Sequence, residues 1–490
     1  MKPSSRFRVQ VKGSWGYAAA FLLPLLLVLL TPWLKYTTIV GGLVLLAALL
    51  LGVWLFWRWP ELGVFLLLAL LAFGNEYSQT EWGVRSADQL ATIYNRRLIP
   101  GVIASVFDLI FVAVLALWLG RKWLKREPFV RLPTRLILPV ALCLAFVGYG
   151  TILGLFHLRD GFELYYILRE VRPFVYLLLL LWLTVDVMTG RGRVDLLWWV
   201  IVLLAAARGV QGVARYGLGI GRWYYGSLMI YYDYSDTLLL LAGMALILTW
   251  LLGQRRWPWS TLALSGAALL PMAFAVIFSF RRSFWLGAAA GLGLLFFYTN
   301  NRERSRYLFL ALVGGVGLLA LVLATGQLDL IGQRLASITD TQDDPSNYFR
   351  LFDTANALNA IYESGTLGLG FGSRYEVVAS VYWLDEFITH VSRASHNGYL
   401  YVTMKMGLLG LFSWTFFWLM ALSYCFTLLG RGRGRVRHIG LGVSVILITC
   451  ALANTFLPLY YNLRPLLLLA IFTGLAIAAS QLPPDTSEQE

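Results

Sequence analysis

The sequence predicts an all-α fold: a polytopic integral membrane bundle of about 12–14 transmembrane helices with one large external helical loop. Three observations carry this. The 490 residues are 59% hydrophobic and only 13% charged, with a mean hydropathy of +0.68, whereas soluble domains are roughly a quarter charged. Apolar runs of about twenty residues recur along the chain, each long enough to cross a bilayer as a helix. The runs are unbroken, which excludes the alternating ten-residue strands (roughly) of an outer-membrane barrel.

Taken in order, residues 1–13 are a basic tail with Lys2, Arg6, Arg8 and Lys12. The run from Tyr17 to Leu34 has the look of a signal peptide, but it is long and lacks a small-x-small cleavage site, so it reads as a retained first helix. Further runs follow at 37–57, 61–74, 99–119, 136–155, 173–189, 194–213, 236–252, 259–278, 284–298, 307–325, 399–429, 438–456 and 464–481. Run 61–74 is short and 37–57 follows closely on its neighbour, which leaves the lower span count open. Cys143, Cys425 and Cys450 all fall in apolar runs. They read as small buried side chains, with neither metal-ligand spacing nor a disulfide framework. No repeat, low-complexity stretch or soluble boundary divides the chain. It reads as a single membrane domain over 1–490, with the external loop at 326–398 and a short polar tail from Pro483 to Glu490.

The net charge of +14 is distributed as a topology signal. One set of inter-helix segments is short and nearly pure Lys/Arg: 121–135, Arg191 and Arg193, Arg255 and Arg256, Arg302 to Arg306, and Arg431 to Arg437. The alternate set holds most of the acids, including Glu76, Glu81, Asp88, Asp160, Glu163, Asp233, Asp343 and Asp344. Lys/Arg-rich short loops are cytoplasmic, so both termini are expected in the cytoplasm. The basic loops then face anionic lipid, and no nucleic-acid partner is needed.

The external side is unexpectedly rich in arginine: Arg159, Arg169, Arg172, Arg208, Arg215, Arg222, Arg281, Arg282, Arg334, Arg350, Arg374 and Arg393 all map there. Arg281 and Arg282 form a doublet with no acid in its own turn, which suggests a bound polyanion such as a pyrophosphate. In the large loop, Asp344-Pro345 fits a helix start. Leu351, Phe352, Ala355, Leu358, Ile361 and Tyr362 then recur at helical spacing, an amphipathic helix lying on the bundle with Arg350 in its first turns. Ser364-Gly365 ends it. The turn from Gly368 through Gly370 and Gly372 to Ser373 is rich in backbone N–H groups, although such a turn is more often a bend than a phosphate nest. A second short helix is expected from about Tyr375 to His390. The loop closes on Ser395-His396-Asn397-Gly398-Tyr399, where Ser395 or Asn397 can cap the next helix. That helix, 399–429, is expected to be roughly 45 Å long, beyond a hydrocarbon core of about 30 Å. His396 is thereby placed at the outer surface.

The order of these features resembles the O-antigen ligase and O-antigen polymerase family of bacterial envelope glycan enzymes, over about Gly226 to Leu411. Gly226 with Tyr231, Tyr232 and Asp233 resembles its opening loop. Arg282-Ser283-Phe284-Trp285-Leu286-Gly287 resembles its arginine turn, with Arg281 standing where the family usually has serine. Arg350 with the glycine-rich turn resembles its third part, and His396-Asn397-x-Tyr399-Leu400 followed by Gly407-Leu408-Leu409-Gly410 its His-Asn signature.

The resemblance implies transfer of an undecaprenyl-pyrophosphate-linked glycan to a sugar hydroxyl at the outer face, without metal or other cofactor and with inversion at the anomeric carbon. Arg282 and Arg350, as forked permanent cations, suit neutralisation of the departing pyrophosphate. His396 suits deprotonation of the acceptor hydroxyl. Arg281, Arg172, Asn397, Tyr399 and Gly370 complete the expected substrate-binding set. The expected partners are the polyprenyl-pyrophosphate donor, a glycan or lipid A-core acceptor, and membrane lipids, in the bacterial inner membrane. Polymerase and ligase remain open, with transfer to protein a third acceptor class. The rival class is a lipid-linked oligosaccharide flippase or polysaccharide transporter. Such carriers need polar or broken helices near the midplane. Here Asp108, Asp186 and Lys405 are the clear intramembrane ionisable residues, mostly toward span ends. A non-catalytic assembly protein is the weakest rival.

Overall fold

The computed structural model describes residues 50–73, 105–156, 161–224, 227–231, 233–254, 257–337, 345–378, 391–431 and 435–482. The first apolar run, the N-terminal part of the second, and the acids Glu76, Glu81, Asp88, Asp343 and Asp344 lie outside them. The protein is a helical membrane bundle. In chain order it has α1 (Glu61–Phe73), α2 (Val106–Lys125), α3 (Thr134–Phe156), α4 (Gly161–Val187) and α5 (Arg191–Gly217). A hairpin of β1 (Arg222–Tyr224) and β2 (Ser227–Met229) leads to α6 (Tyr234–Gly253), α7 (Trp259–Ile277), α8 (Arg282–Tyr298) and α9 (Asn301–Ala324). The loop between α9 and the next long helix holds α10 (Leu328–Ala336), α11 (Pro345–Ser364), β3 (Tyr375–Glu376) and β4 (Val391–Ser392), and α12 (Gly398–Arg431), α13 (Arg435–Ala453) and α14 (Leu463–Ser480) follow.

Eight described helices (α3, α5, α6, α7, α9, α12, α13 and α14) are long and apolar enough to cross a membrane. Two expected spans are shorter: α1 has 13 residues and α8 has 17. Helix starts follow local chemistry. Ser105 and Asp108 form a reciprocal capping box on α2, and Asn300 and Glu303 form another on α9, each satisfying backbone N–H groups left over by the first turn.

The centre is α14, with 94% of its apolar window buried; α9 lies at the periphery, with 6%. Accordingly Leu308, Leu312, Val316, Leu319 and Leu323 are exposed along one side of α9, a lipid-facing stripe. In hydrocarbon, close helix contact rests on small residues that let backbones approach. A Cβ on Gly287 of α8 would lie 2.6 Å from the Thr449 carbonyl of α13, and one on Gly243 of α6 would lie 2.4 Å from Ala205 of α5.

A buried ion network fixes the heads of α5, α6 and α14. Arg464 reaches Asp233 at 2.9 Å and Asp236 at 3.3 Å, and Arg208 reaches Asp236 at 3.0 Å. Burial penalises the Asp233 carboxylate, yet Arg464 and the Ser235 donors hold it below the ordinary carboxylate range. Because the folded value is depressed, this pair contributes fully above about pH 4 and is lost as pH falls through that depressed value.

Two expectations about the loop are corrected. The long run at 399–429 is not one straight helix: α12 breaks at Gly407, which adopts φ 72 and ψ −177. A side chain there would meet the Thr366 carbonyl at 2.3 Å. The break frees the Met404 carbonyl, which accepts from the Leu369 N–H at 2.6 Å. Also, Tyr375–Glu376 is a strand paired antiparallel with Val391–Ser392, where the sequence suggested the start of a second short helix. Residues 379–390, the rest of that expected helix, lie outside the described residues.

Candidate functional site

The site is built along α11. Asn347, Arg350 and Asp353 are three residues apart, neighbours on successive turns over about 9 Å of helix axis. The first and last reach across to other elements. Arg282, 8% exposed, donates through Nη1 to the Ser337 carbonyl (2.6 Å) and hydroxyl (2.5 Å), and through Nη2 to Asn347 Oδ1 (3.1 Å). Asp353 Oδ2 accepts from the His396 backbone N–H (2.6 Å) and the Ser395 hydroxyl (2.9 Å). Thus α11 carries Arg350 between the residue that receives Arg282 and the residue that holds His396. Arg282 and His396 are thus both tied to the helix that carries Arg350, through two residues that the sequence did not single out.

The imidazole is oriented. His396 Nδ1 lies 3.6 Å from Asp353 Oδ2 and is buried without a hydrogen-bond partner, while the side chain as a whole is 40% exposed. The accessible edge of the ring is therefore the Nε2 side. Phe349 packs edge-on against the ring at 5.0 Å. Asn397 caps α12, with its Oδ1 accepting from Tyr399 N–H (2.9 Å) and Leu400 N–H (3.2 Å). Its carbonyl oxygen is spent on the helix start, so its contribution is to fix the turn that presents His396.

The packed face of α11 is not the apolar stripe expected from the sequence. Ala357 and Ala360 are buried against α12, with Ile361 beside them, and Asn356 is buried where it accepts from the Val378 N–H, whereas Leu351, Leu358 and Tyr362 are exposed. Small side chains allow the helix to approach Met404 and Leu400 closely, and this selects the face.

The arginine doublet splits at α8. Phe280 takes a left-handed conformation (φ 52), a costly one for a bulky side chain. It turns the chain so that Arg281 stacks on Tyr234 at 4.4 Å while Arg282 points to α10 and α11. Arg172 lies elsewhere, with its guanidinium in an ion pair with Asp108 at 2.8 Å. Tyr399 turns inward, its hydroxyl donating to the Ala451 carbonyl at 2.9 Å. Gly370 serves a bend. It has φ +83, and a Cβ would lie 2.4 Å from Gly154 N. The neighbouring N–H groups are taken as well: Phe371 donates to the Gly150 carbonyl (2.9 Å) and Gly372 to Glu170 Oε2 (2.8 Å). The turn plugs the loop into α3, α4 and the break in α12. Gly370→Ala is expected to destabilise the protein by more than about 2 kcal/mol, read as a lower thermal midpoint of purified protein; an unchanged midpoint would contradict the plug.

Asp353, Asn347 and Ser337 are the residues that sequence reading missed. The available signal was spacing: Asn347 and Asp353 flank Arg350 at three residues on either side.

Residues 267–415 match the family model described as O-antigen ligase, a segment that contains Arg281, Arg282, Arg350, Asp353, Gly370, His396, Asn397 and Tyr399 but not Arg172. No curated protein matches the chain. The protein is a helical membrane protein whose residues 267–415 are similar to the O-antigen ligase family.

Proposed function

We propose that the protein transfers a glycan from a polyprenyl pyrophosphate donor of the undecaprenyl type to a sugar hydroxyl at the outer face of the bacterial inner membrane. In this reading the whole chain is one membrane domain with both termini in the cytoplasm. The acceptor is either a second lipid-linked glycan, as in a polymerase, or a lipid A-core glycan, as in a ligase. The observation that carries the reading is the row along α11, where Arg282, Arg350 and an oriented, accessible imidazole are tied to one helix.

His396 Nε2 takes the proton of the acceptor hydroxyl. The acceptor oxygen forms a bond to the anomeric carbon as the bond from that carbon to the pyrophosphate oxygen breaks. The electron pair leaves with the polyprenyl pyrophosphate, and Arg350 and Arg282 offset its charge. A single displacement of this kind inverts the anomeric centre. Asp353 holds the His396 backbone and faces Nδ1, favouring the tautomer with Nε2 free. The reaction is proposed to need no metal. The intramembrane charges favour an enzyme over a carrier. Asp108 is paired with Arg172, Asp186 with Lys122 at 2.9 Å, and Lys405 with Glu170 at 3.1 Å.

The test is a reconstituted assay with lipid-linked glycan and each acceptor in turn, with and without EDTA. Turnover that persists in EDTA with one acceptor supports the proposal; no transfer to any glycan acceptor contradicts it. In the same assay Asp353→Asn is expected to lower kcat about tenfold or more with little change in donor KM. A change confined to KM would remove Asp353 from the positioning of His396.

A further inference from the structure

A second group of cations lies around the start of α12, away from α11. Leu400 and Met404 face α11. Tyr401 and Lys405, one residue on and so turned by about 100°, face α4. Lys405 is fully buried and pairs with the equally buried Glu170 at 3.1 Å, while its Nζ also donates to the Ser373 carbonyl at 2.8 Å. That pair is neutral and complete. Arg393 is not. Its guanidinium lies on the Tyr166 ring at 3.4 Å, and its Nε and Nη2 are buried with no hydrogen-bond partner. Arg169, one turn beyond Tyr166 on α4, is in electrostatic range of Tyr165, Tyr166, Tyr461 and Glu170.

The chemistry of the orphaned edge is specific. Nε and Nη2 are the parallel donors with which arginine grips two oxygens of one anion. Stacking on Tyr166 fixes the guanidinium plane and leaves that edge unsatisfied. Burying charged donors without partners is costly, and Glu170, the carboxylate at hand, is already taken by Lys405 and the Gly372 N–H. Among the described residues around it, the two guanidinium charges then outnumber the acids, which suits a dianion.

We infer that Arg393 and Arg169 form a second anion site, which takes the phosphoryl group of an amphiphile other than the glycan donor. Its use by the second substrate of the transfer rests on the function proposed above; the anion site itself does not. Arg393 is three residues before His396, so an amphiphile anchored there is held beside the base while the donor pyrophosphate lies along α11.

The experiment is lipid binding by the full-length protein in nanodiscs, read by native mass spectrometry, and it involves no glycan. The probes are short-chain phosphatidic acid, phosphatidylcholine and inorganic phosphate. Wild type is expected to retain phosphatidic acid over phosphatidylcholine. Arg393→Gln and Arg169→Gln are each expected to weaken one bound phosphatidic acid tenfold or more. The double variant should lose no more than the stronger single, because both remove the same site. Arg393→Lys, which keeps the charge without the fork, reports on folding and should recover only part of the binding. Displacement of the lipid by millimolar inorganic phosphate would assign the site to a soluble phosphate source, and resistance to it to a lipid headgroup. Either result retains the anion site. Equal binding by wild type and both Gln variants, or equal retention of phosphatidylcholine, would overturn it. Such failure leaves the transfer reaction intact, and loss of transfer leaves this binding result intact.

Discussion

Replacing His396 by alanine is expected to slow glycan transfer by about 10²- to 10⁴-fold while leaving the bundle folded. The ring sits at the loop end, 40% exposed, and among the described residues its side chain makes an edge contact with Phe349 and faces Asp353 at 3.6 Å without a hydrogen bond. The polar ties that hold this turn do not use the imidazole: the His396 backbone N–H donates to Asp353, and the Asn397 side-chain oxygen caps α12. Alanine keeps both. The loss should therefore appear in kcat, with donor KM and thermal midpoint close to wild type. If His396→Ala turned over at the wild-type rate, the imidazole would not be the base.

The second large effect is expected at Arg282. Its fork closes α8 onto the end of α10 through Ser337 and onto the first turn of α11 through Asn347. Hydrogen bonds to a charged group contribute about 1.5–3 kcal/mol each, so Arg282→Ala should lower kcat/KM by at least about 10²-fold. Arg282→Lys should recover little, because one ammonium cannot span both partners at once. The two variants separate by hydrogen exchange. Loss of Arg282 should raise exchange over 345–364, as α11 loosens from α8, whereas His396→Ala should leave that segment protected. Unchanged protection in Arg282→Ala would mean that the fork does not hold α11.

The membrane class was legible because hydrocarbon imposes long apolar helices, and such runs stand out in composition. His396, Arg282 and Arg350 stood out in the sequence as chemistry out of place, permanent cations and one imidazole on the side inferred to be external, in an order that resembles a known family. The residues that organise them were not. Asp353 and Asn347 sit inside a helix and look like ordinary polar surface positions until their partners, 43 and 65 residues away in sequence, are brought beside them. The break in α12 was hidden for a related reason. Glycine is common within membrane helices, and only the docking of Thr366 to Leu369 against Gly407 shows why this one leaves the helical path. The facing of α11 ran against the apolar pattern because close packing on α12 favours Ala357 and Ala360 over the bulky Leu351 and Leu358. Arg172 illustrates the converse. From the sequence it is an arginine beside a helix mouth, and its partner Asp108, 64 residues away in the chain, could not be read there.

The central claim is that one face of the loop helix aligns guanidinium groups with the imidazole so that a lipid pyrophosphate docks between them. The most direct measurement is a cryo-electron microscopy map of the full chain in nanodiscs with a bound polyprenyl pyrophosphate glycan. The account predicts the two phosphoryl groups within hydrogen-bond reach of Arg350 and Arg282, with the anomeric carbon on the Nε2 side of His396. A pyrophosphate bound out of reach of both arginines, or with its sugar turned away from His396, would contradict it.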